Sequence, residues 1–499
     1  MIAIHSKYNN RLSSLIYFER GILMITFLLA LILLICGYFT YGVLVEKIFK
    51  PDESRTTPAL TVNDGVDYVP LDWKKVFLVQ LLNIAGLGPI FGAIAGALWG
   101  PVSFLWIVFG CIFAGGVHDF FSGMLSIRNN GASVSEIVGE YLGPVMQKVM
   151  IFFSVILLIL VGTVFMTGPA KLLAALTPKS LDTNFWLLII IIYYFLATIM
   201  PVDKIIGRIY PLFGIILLIM AVGIAGGIIV QGYRIPELTL ANLHPTGLPI
   251  WPLMFISIAC GAISGFHATQ SPIMARCVQN EKYGRKIFYG AMIAEGIIAL
   301  IWAAAGLAFY HGTPGLAAAI KAGGPGGVVH EISIALLGGI GGILAILGVI
   351  VCPVTSGDTA FRSARLTIAD SLNYSQKPIP GRLYIAIPLF VVGCTLSQIN
   401  FDIIWRYFAW SNQTLAMIVL WSAAVYLVKR RQPHWIATVP AAFMSIVSVT
   451  YILQAPEGFK LPVAVSYPSG IFAGLVLFAI FIKFTLQNDA AEFIKNRAG

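Results

Sequence analysis

Residues 83–100 read NIAGLGPIFGAIAGALWG. They lie in an apolar run long enough to cross a bilayer, yet they carry Gly86, Gly88, Pro89, Gly92, Gly96 and Gly100. Within a helix, glycine costs about 1 kcal/mol relative to alanine and proline about 3 kcal/mol. The bilayer core holds no water for the backbone groups such residues release. The pattern therefore reads as a purposeful break. Gly86 and Gly88 can leave helical φ/ψ cheaply. Pro89 lacks an N–H and suits the first position of a new helix. An outer half-helix starting at Gly88–Pro89 would turn free N–H groups and a positive dipole end toward the midplane, which suits a carboxylate. The inner half-helix would end near Ala85–Gly86, and its free carbonyls suit a cation. Gly88, Gly92, Gly96 and Gly100 also recur every fourth residue, a small-residue ridge for close packing against a neighbour.

The rest of the chain agrees with a membrane setting. Of 499 residues, 58% are hydrophobic and 11% charged, against roughly 25% charged in soluble proteins. The mean hydropathy is +0.87. Apolar runs of the length one crossing needs, about 20 residues, recur from end to end. This predicts an all-α polytopic membrane protein; a barrel would show alternating strands of about 10 residues. The run at 21–45 is too long for the apolar part of a signal peptide, and Cys36 to Tyr41 lacks a small-residue cleavage site. The net charge of +10, from 32 Lys+Arg against 22 Asp+Glu, reads as loop cations facing the cytoplasm, not as a nucleic-acid surface. Cys36, Cys111, Cys260, Cys277, Cys352 and Cys394 form no CxxC or Cys/His cluster and read as small core residues.

About thirteen spans are expected. One leads at 20–45. Five follow at 77–99, 101–124, 146–170, 185–201 and 207–231, and five more at 250–268, 286–310, 332–357, 382–397 and 402–428. Two close the chain at 434–453 and 467–485. The expected domains are an N-terminal segment (1–75), a first repeat (76–231), a second repeat (250–428) and a C-terminal pair with a cytoplasmic tail (432–499). One alternating set of loops carries Arg128; Lys204 and Arg208; Arg276, Lys282, Arg285 and Lys286; Arg362, Arg365, Lys377 and Arg382; and Lys429 to Arg431. The opposite set carries only Lys171, Lys179, Arg234 and Lys321. The first set is expected in the cytoplasm. The N-terminal segment then falls outside despite Lys7, Arg11 and Arg20, unless residues 8–20 lie flat on the membrane or the first span is misplaced.

A second interrupted span, ACGAISGFHATQSP (259–272), opens the second group of five as the first opens the other. Five is odd, so the two groups are inverted relative to each other. Broken spans at matching positions of inverted halves point to the binding site of a secondary transporter. The plainer reading is a pair of small-residue packing faces. Gly261 and Gly265 bracket Ser264 here, with His267 just beyond.

The runs TPALTVNDGVDYVP (57–70), IAGLGPIFG (84–92) and HDFFSGMLSIRNNGASVSEIVGEYLGP (118–144) resemble the carbon starvation protein A (CstA) family. So do ACGAISGFHA (259–268), YGAMIAEG (289–296), GDTAFRSARLTIADSL (357–372) and FAWSNQTLA (408–416). These long motifs cover most of the chain. The resemblance implies the amino acid–polyamine–cation superfamily, a LeuT-like five-plus-five core, and import of peptides or pyruvate coupled to protons during nutrient limitation. Better-known members carry a His pair just before the IAG motif, where this chain has Val79 and Gln80, and they have two leading spans. The first departure bears on proton coupling, and both bear on substrate identity.

Ionisable groups within spans are costly and point to function. Glu295, in the middle of the second group's second span, reads as a proton carrier or as a partner for His267; a structural hydrogen bond between helices is the alternative. His267 can titrate near neutral pH, or it is a satisfied buried histidine. Asp119 lies near a cytoplasmic helix end as a gating or coupling carboxylate, or as a headgroup charge paired with Arg128. Thr355, Ser356, Asp358 and Thr359 offer oxygen ligands for a cation, although Asp358 and Arg362 are also spaced for a helix salt bridge. In sodium-coupled members of the superfamily such hydroxyls face carbonyls of the first broken span. Asn412 and Gln413 line a substrate path or bond between helices. Arg406 attracts an anion at the outer mouth or snorkels. Ser133 and Glu136 form a capping-box pattern before a short helix. Asp64, Asp67 and Asp72 read as a solvated inner gate or a segment that anchors the fold.

No HExxH, GxSxG or phosphate-binding loop is present, which argues against an enzyme or an ATP-driven pump. The reading is an alternating-access importer of a small carboxylate, pyruvate or a short peptide, with no cofactor or metal. Gly86, Gly88, Pro89, Gly261, Ser264, Gly265, His267, Asn412 and Gln413 are the expected substrate contacts. Glu295, Asp119, Asp358, Thr355 and Ser356 are the expected coupling residues. Its partners are the substrate, the lipid bilayer and a coupling proton, with sodium as the alternative ion. The other readings are a sodium-coupled carrier of another small organic acid or amino acid, and a membrane nutrient sensor or channel.

Overall fold

A computed structural model describes residues 24–65, 67–199, 210–372, 374–376 and 378–498. Segment 8–20 and the cations Lys7, Arg11, Arg20, Lys204, Arg208 and Lys377 lie outside the described residues. Among the described residues, nine helices are long and apolar enough to cross a membrane, and one bent pair makes a tenth. We label the helices α1 (Ile25–Phe49), α2 (Trp73–Ile84), α3 (Gly88–Trp99), α4 (Val102–Arg128), α5 (Val134–Leu142), α6 (Pro144–Leu176), α7 (Thr183–Ile199) and α8 (Tyr210–Val230). They continue as α9 (Leu253–Ser257 with Ala259–Ala262), α10 (Gly265–Ala275), α11 (Glu281–Phe309), α12 (Thr313–Ser371), α13 (Ile379–Leu396), α14 (Phe401–Lys429), α15 (Trp435–Gln454) and α16 (Val463–Thr485).

The bent pair is the opening stretch. α2 and α3 meet at 55°, with Ala85 capping α2 and Pro89 in the first turn of α3. The other three expected spans fall on the shorter α7, the interrupted α9–α10 and the long α12. α12 crosses Gly324 and Gly338, both at φ 65°, a conformation that glycine alone adopts without strain. It does not stop at 357 as expected, because Asp358, Arg362 and Arg365 beyond that point are buried and helical. Likewise α1 runs to Phe49 through Glu46, whose carboxylate Arg285 holds at 2.7 Å.

The ends of α1 are pinned to opposite faces. Its first amides, Ile25 and Thr26, donate to Glu237 at 2.9 Å each, in the α8–α9 connection. A carboxylate there satisfies orphan N–H groups and favours the positive dipole end. At the other end Arg128 donates to the Lys50 carbonyl at 2.8 Å and to Tyr426 at 2.5 Å. Its Nε and Nη2 also reach the fully buried Glu281 at 3.2 and 3.0 Å. α1 therefore starts on the side of the 231–252 connection and ends on the side of the 276–281 connection, the alternation that loop charge predicts.

The Glu281 cluster joins α1, α4, α11 and α14 through one carboxylate, which also accepts the Asp52 amide at 2.8 Å. Glu281→Gln keeps the shape and loses the charge-assisted bonds. It should lower thermal stability by about 1–3 kcal/mol, read as a fall in the detergent-solubilised melting midpoint. An unchanged midpoint would show that the cluster contributes nothing to stability.

Two of the connecting segments end in helix caps, and the first is the one expected from sequence. Ser133 and Glu136 complete the capping box of α5. Asp72 accepts from the Lys74 amide at 3.0 Å at the start of α2. Asp64 accepts from the Asp67 and Tyr68 amides, and Tyr68 Oη and the Leu71 N–H tie the segment to the Asn130 and Cys277 carbonyls at 3.1 Å each. The glycine ridge is three residues long, not four. A Cβ at Gly88, Gly92 or Gly96 would lie 2.1 Å from Cys260, 2.9 Å from the Ser257 carbonyl and 2.1 Å from Ile258, all in or beside α9. Gly100 instead turns the chain at φ 86° against Leu243.

Candidate functional site

The two breaks face each other. Between α9 and α10, Ile263 and Ser264 are extended, with φ of −161° and −147°. The chain thus turns out of the helix just before the first amides of α10. Asn412 of α14 meets them: its Oδ1 accepts from the Phe266 N–H at 2.6 Å and from Ser264 Oγ at 3.0 Å. Its Nδ2 reaches Cys260 Sγ at 3.3 Å. Gln413 donates to the Phe255 carbonyl at 2.6 Å and so ties α9 to α14.

The glycines of the site serve contact. A Cβ at Gly86 would lie 2.4 Å from the Phe165 ring, and one at Gly261 would lie 2.7 Å from Ala299 Cβ. At Gly265 it would fall 2.3 Å from the Asn412 carbonyl and 2.7 Å from the Ala416 nitrogen. Asn412 thus holds the Ser264 hydroxyl and the Phe266 N–H, because an amide oxygen satisfies a buried half-helix start as a carboxylate would.

The carbonyls at the other half-helix ends are also engaged. Cys352 Sγ donates to Ala85 at 2.7 Å, and Ser356 Oγ donates to Leu82 at 3.0 Å. Cys111 Sγ donates to Gly261 at 3.1 Å. Thr355 and Thr359 bond back to their own helix, to Cys352 and Ser356. Asp358 lies apart from these carbonyls, accepting from Tyr210 at 3.2 Å with Arg362 at 3.9 Å.

A line of four buried ionisable side chains runs beside the breaks. His118 Nδ1 lies 2.8 Å from Asp119 Oδ1, and His267 Nδ1 lies 2.9 Å from Asp119 Oδ2. His267 Nε2 lies 3.3 Å from Glu295 Oε2. All four are 0% exposed. Both Glu295 oxygens and His118 Nε2 lack a hydrogen-bond partner among the described residues. α4, α10 and α11 supply these groups, and π turns at Gly110–Gly115 and Arg285–Tyr289 precede them in α4 and α11. The extra residue in such a turn rotates the face that follows it. Of the two readings of Asp119, the headgroup charge paired with Arg128 falls away, because Asp119 is buried beside two histidines and Arg128 belongs to Glu281. Chemically, an imidazole between two carboxylates can accept a proton at one nitrogen and release one at the other.

Arg406 is corrected as well. It lies 3.1 Å from Glu457, which Tyr451 also bonds, so its charge is engaged within the protein. Three residue types were undervalued by sequence reasoning. The thiols of Cys111 and Cys352 engage break carbonyls, and Cys260 seats Gly88, where composition suggests only small core residues. Gln80 donates to Ser271 at 3.3 Å. Asn83 is fully buried in the last turn of α2, and neither its amide nitrogen nor its oxygen has a partner among the described residues. The signal for it was available: an amide inside a span must find a partner.

Fold and site together define a multi-pass membrane protein with a LeuT-like core of two inverted five-helix repeats and two broken helices. Residues 22–180, 170–307 and 310–451 match the family described as carbon starvation protein CstA, and the chain belongs to that family. It is 47% identical over 356 residues to an uncharacterised membrane protein of Haemophilus influenzae, covering 61% of this chain and 96% of that one. It is 26% identical to the peptide transporter CstA of Campylobacter jejuni, covering 87% and 81%. It is 31% identical to the pyruvate/proton symporter BtsT of Escherichia coli, covering 52% and 45%. Among solved structures it resembles MhsT in complex with L-phenylalanine, with a TM-score of 0.53 at 15% identity over 83% of this chain and 97% of that one. That likeness shows the fold.

Proposed function

We propose that this protein is a proton-coupled importer of a small carboxylate, pyruvate or a short peptide, working by alternating access. The observation that carries the reading is the buried line His118–Asp119–His267–Glu295, lying across three core helices beside the two breaks. Glu295 takes up the proton, and His267 relays it toward Asp119. The substrate carboxylate binds at the start of α10, where it takes over the Phe266 and Ser264 donors from Asn412. Asn83 supplies a free donor and acceptor to the rest of the substrate. Gly86, Gly88, Pro89 and Gly261 let the half-helices close on it. The names of the peptide transporter and pyruvate symporter relatives support this substrate class.

The sodium-coupled alternative rests on Ser356, whose hydroxyl faces the Leu82 carbonyl of α2 at 3.0 Å. The buried line of four ionisable side chains favours the proton reading. Proteoliposomes with an acid exterior should accumulate labelled pyruvate or a di- or tripeptide equally with and without sodium, and collapsing the pH gradient should stop it. Accumulation that requires sodium and ignores the pH gradient would overturn the coupling assignment. Passive flux of every substrate would indicate a channel.

A further inference from the structure

A cleft of about 590 Å³ opens between α1, α2 and α11 on the flank of the core. Its walls are apolar, with Phe39 from α1, Phe77 and Leu78 from α2, and Ile293 and Ile297 from α11. Two cations, Lys74 and Lys286, stand at one end beside Trp73. Lys286 Nζ lies 4.9 Å from the centre of the Trp73 ring, and Lys74 Nζ lies 6.0 Å from it. Among the described residues neither lysine has an ion-pair partner. The acids nearby are engaged: Glu46 holds Arg285 at 2.7 Å, and Asp72 caps its own helix. The mouth is therefore cationic and the body oily.

We propose that this cleft binds an anionic phospholipid of the cytoplasmic leaflet. The lysines lie on the side that loop charge places in the cytoplasm. Lys286 to Ile297 is eleven residues, about 16 Å of helical rise, close to the half-thickness of roughly 15 Å for a hydrocarbon core. A phosphate would therefore sit between Lys74 and Lys286 while one acyl chain fills the groove to its far end. Basic pockets between helices on the cytoplasmic side recognise anionic headgroups, and the indole of Trp73 suits the same interfacial level. A free phosphate would leave the apolar length unused, and a zwitterionic lipid would leave the two cations unanswered. The lipid would bear on α2, the inner half of the broken helix, and on the face of α11 next to Glu295. The inference does not depend on the transported substrate, because binding alone tests it.

The test uses the full chain in detergent, with phosphatidylglycerol, phosphatidylcholine of the same chains, or glycerol 3-phosphate added. Thermal denaturation and native mass spectrometry are the readouts. Phosphatidylglycerol should raise the melting midpoint by several degrees and remain bound in the spectrometer. Phosphatidylcholine should give less than half that shift, and glycerol 3-phosphate none. The Lys74→Gln/Lys286→Gln variant should keep the lipid-free midpoint and lose at least half of the phosphatidylglycerol shift. Ala294→Phe, which fills the groove and spares both lysines, should reduce the shift as well. Equal shifts with both lipids, a full shift in the double lysine variant, or an equal shift with glycerol 3-phosphate would each overturn the proposal.

Discussion

Glu295→Gln is expected to abolish uphill uptake while leaving exchange of substrate across the membrane in place. Glu295 is fully buried, and its nearest ionisable neighbour is His267 Nε2 at 3.3 Å. Neither of its oxygens has a hydrogen-bond partner among the described residues, so the interaction that substitution removes is the ion pair with His267. Glutamine fills the same space and cannot carry a proton. Losing one coupled proton removes about tenfold of accumulation per pH unit. It also removes about 50-fold per 100 mV, since one charge crossing that potential is worth about 2.3 kcal/mol. Counterflow needs only alternating access and should persist at a comparable rate. The comparison is made in proteoliposomes with an imposed pH gradient and potential. Wild-type accumulation in the variant, or an unchanged pH dependence, would remove Glu295 from the coupling path.

The sequence and the structure agree most closely where backbone chemistry is local. Gly86, Gly88 and Pro89 announce the break in the first core helix, because their effect on φ/ψ and on the missing N–H does not depend on neighbours. The pairing of His267 with Glu295 was also legible, since an ionised group inside a span needs a partner and few were available. Asp119 was not. Its place was judged by distance from the helix end, whereas the π turn at Gly110–Gly115 and the packing of α4 on α10 set which way it faces. The same limit applies to Arg406: a cation near a helix end reads as unpaired until Glu457, in the connection between the last two helices, is brought beside it. Gly86 was read as a source of exposed backbone, and Gly88 both as that and as part of a packing ridge. In the folded chain they are equally a means of contact, and only the neighbour's identity, Cys260 or Phe165, distinguishes the two roles.

Asn412→Ala should destabilise the protein by about 2–5 kcal/mol, because two buried donors lose their acceptor and each unsatisfied group costs about 1–3 kcal/mol. The donors are the Phe266 N–H and Ser264 Oγ, 2.6 and 3.0 Å from the Asn412 oxygen. Asn412→Asp keeps an acceptor at that position and should recover part of the loss, although it places a charge at the start of α10. That charge would compete with a substrate carboxylate for the same donors and should weaken uptake more than it weakens the fold. The informative quantity is the shift in melting midpoint on adding substrate. If the carboxylate takes over the Asn412 contacts, it repairs the defect in Asn412→Ala, and the substrate-induced shift in that variant should exceed the wild-type shift. In Asn412→Asp it should shrink. A substrate shift of equal size in all three proteins would mean that Asn412 braces α10 without lying in the binding site. The carboxylate would then have to be sought at Asn83 and the start of α3.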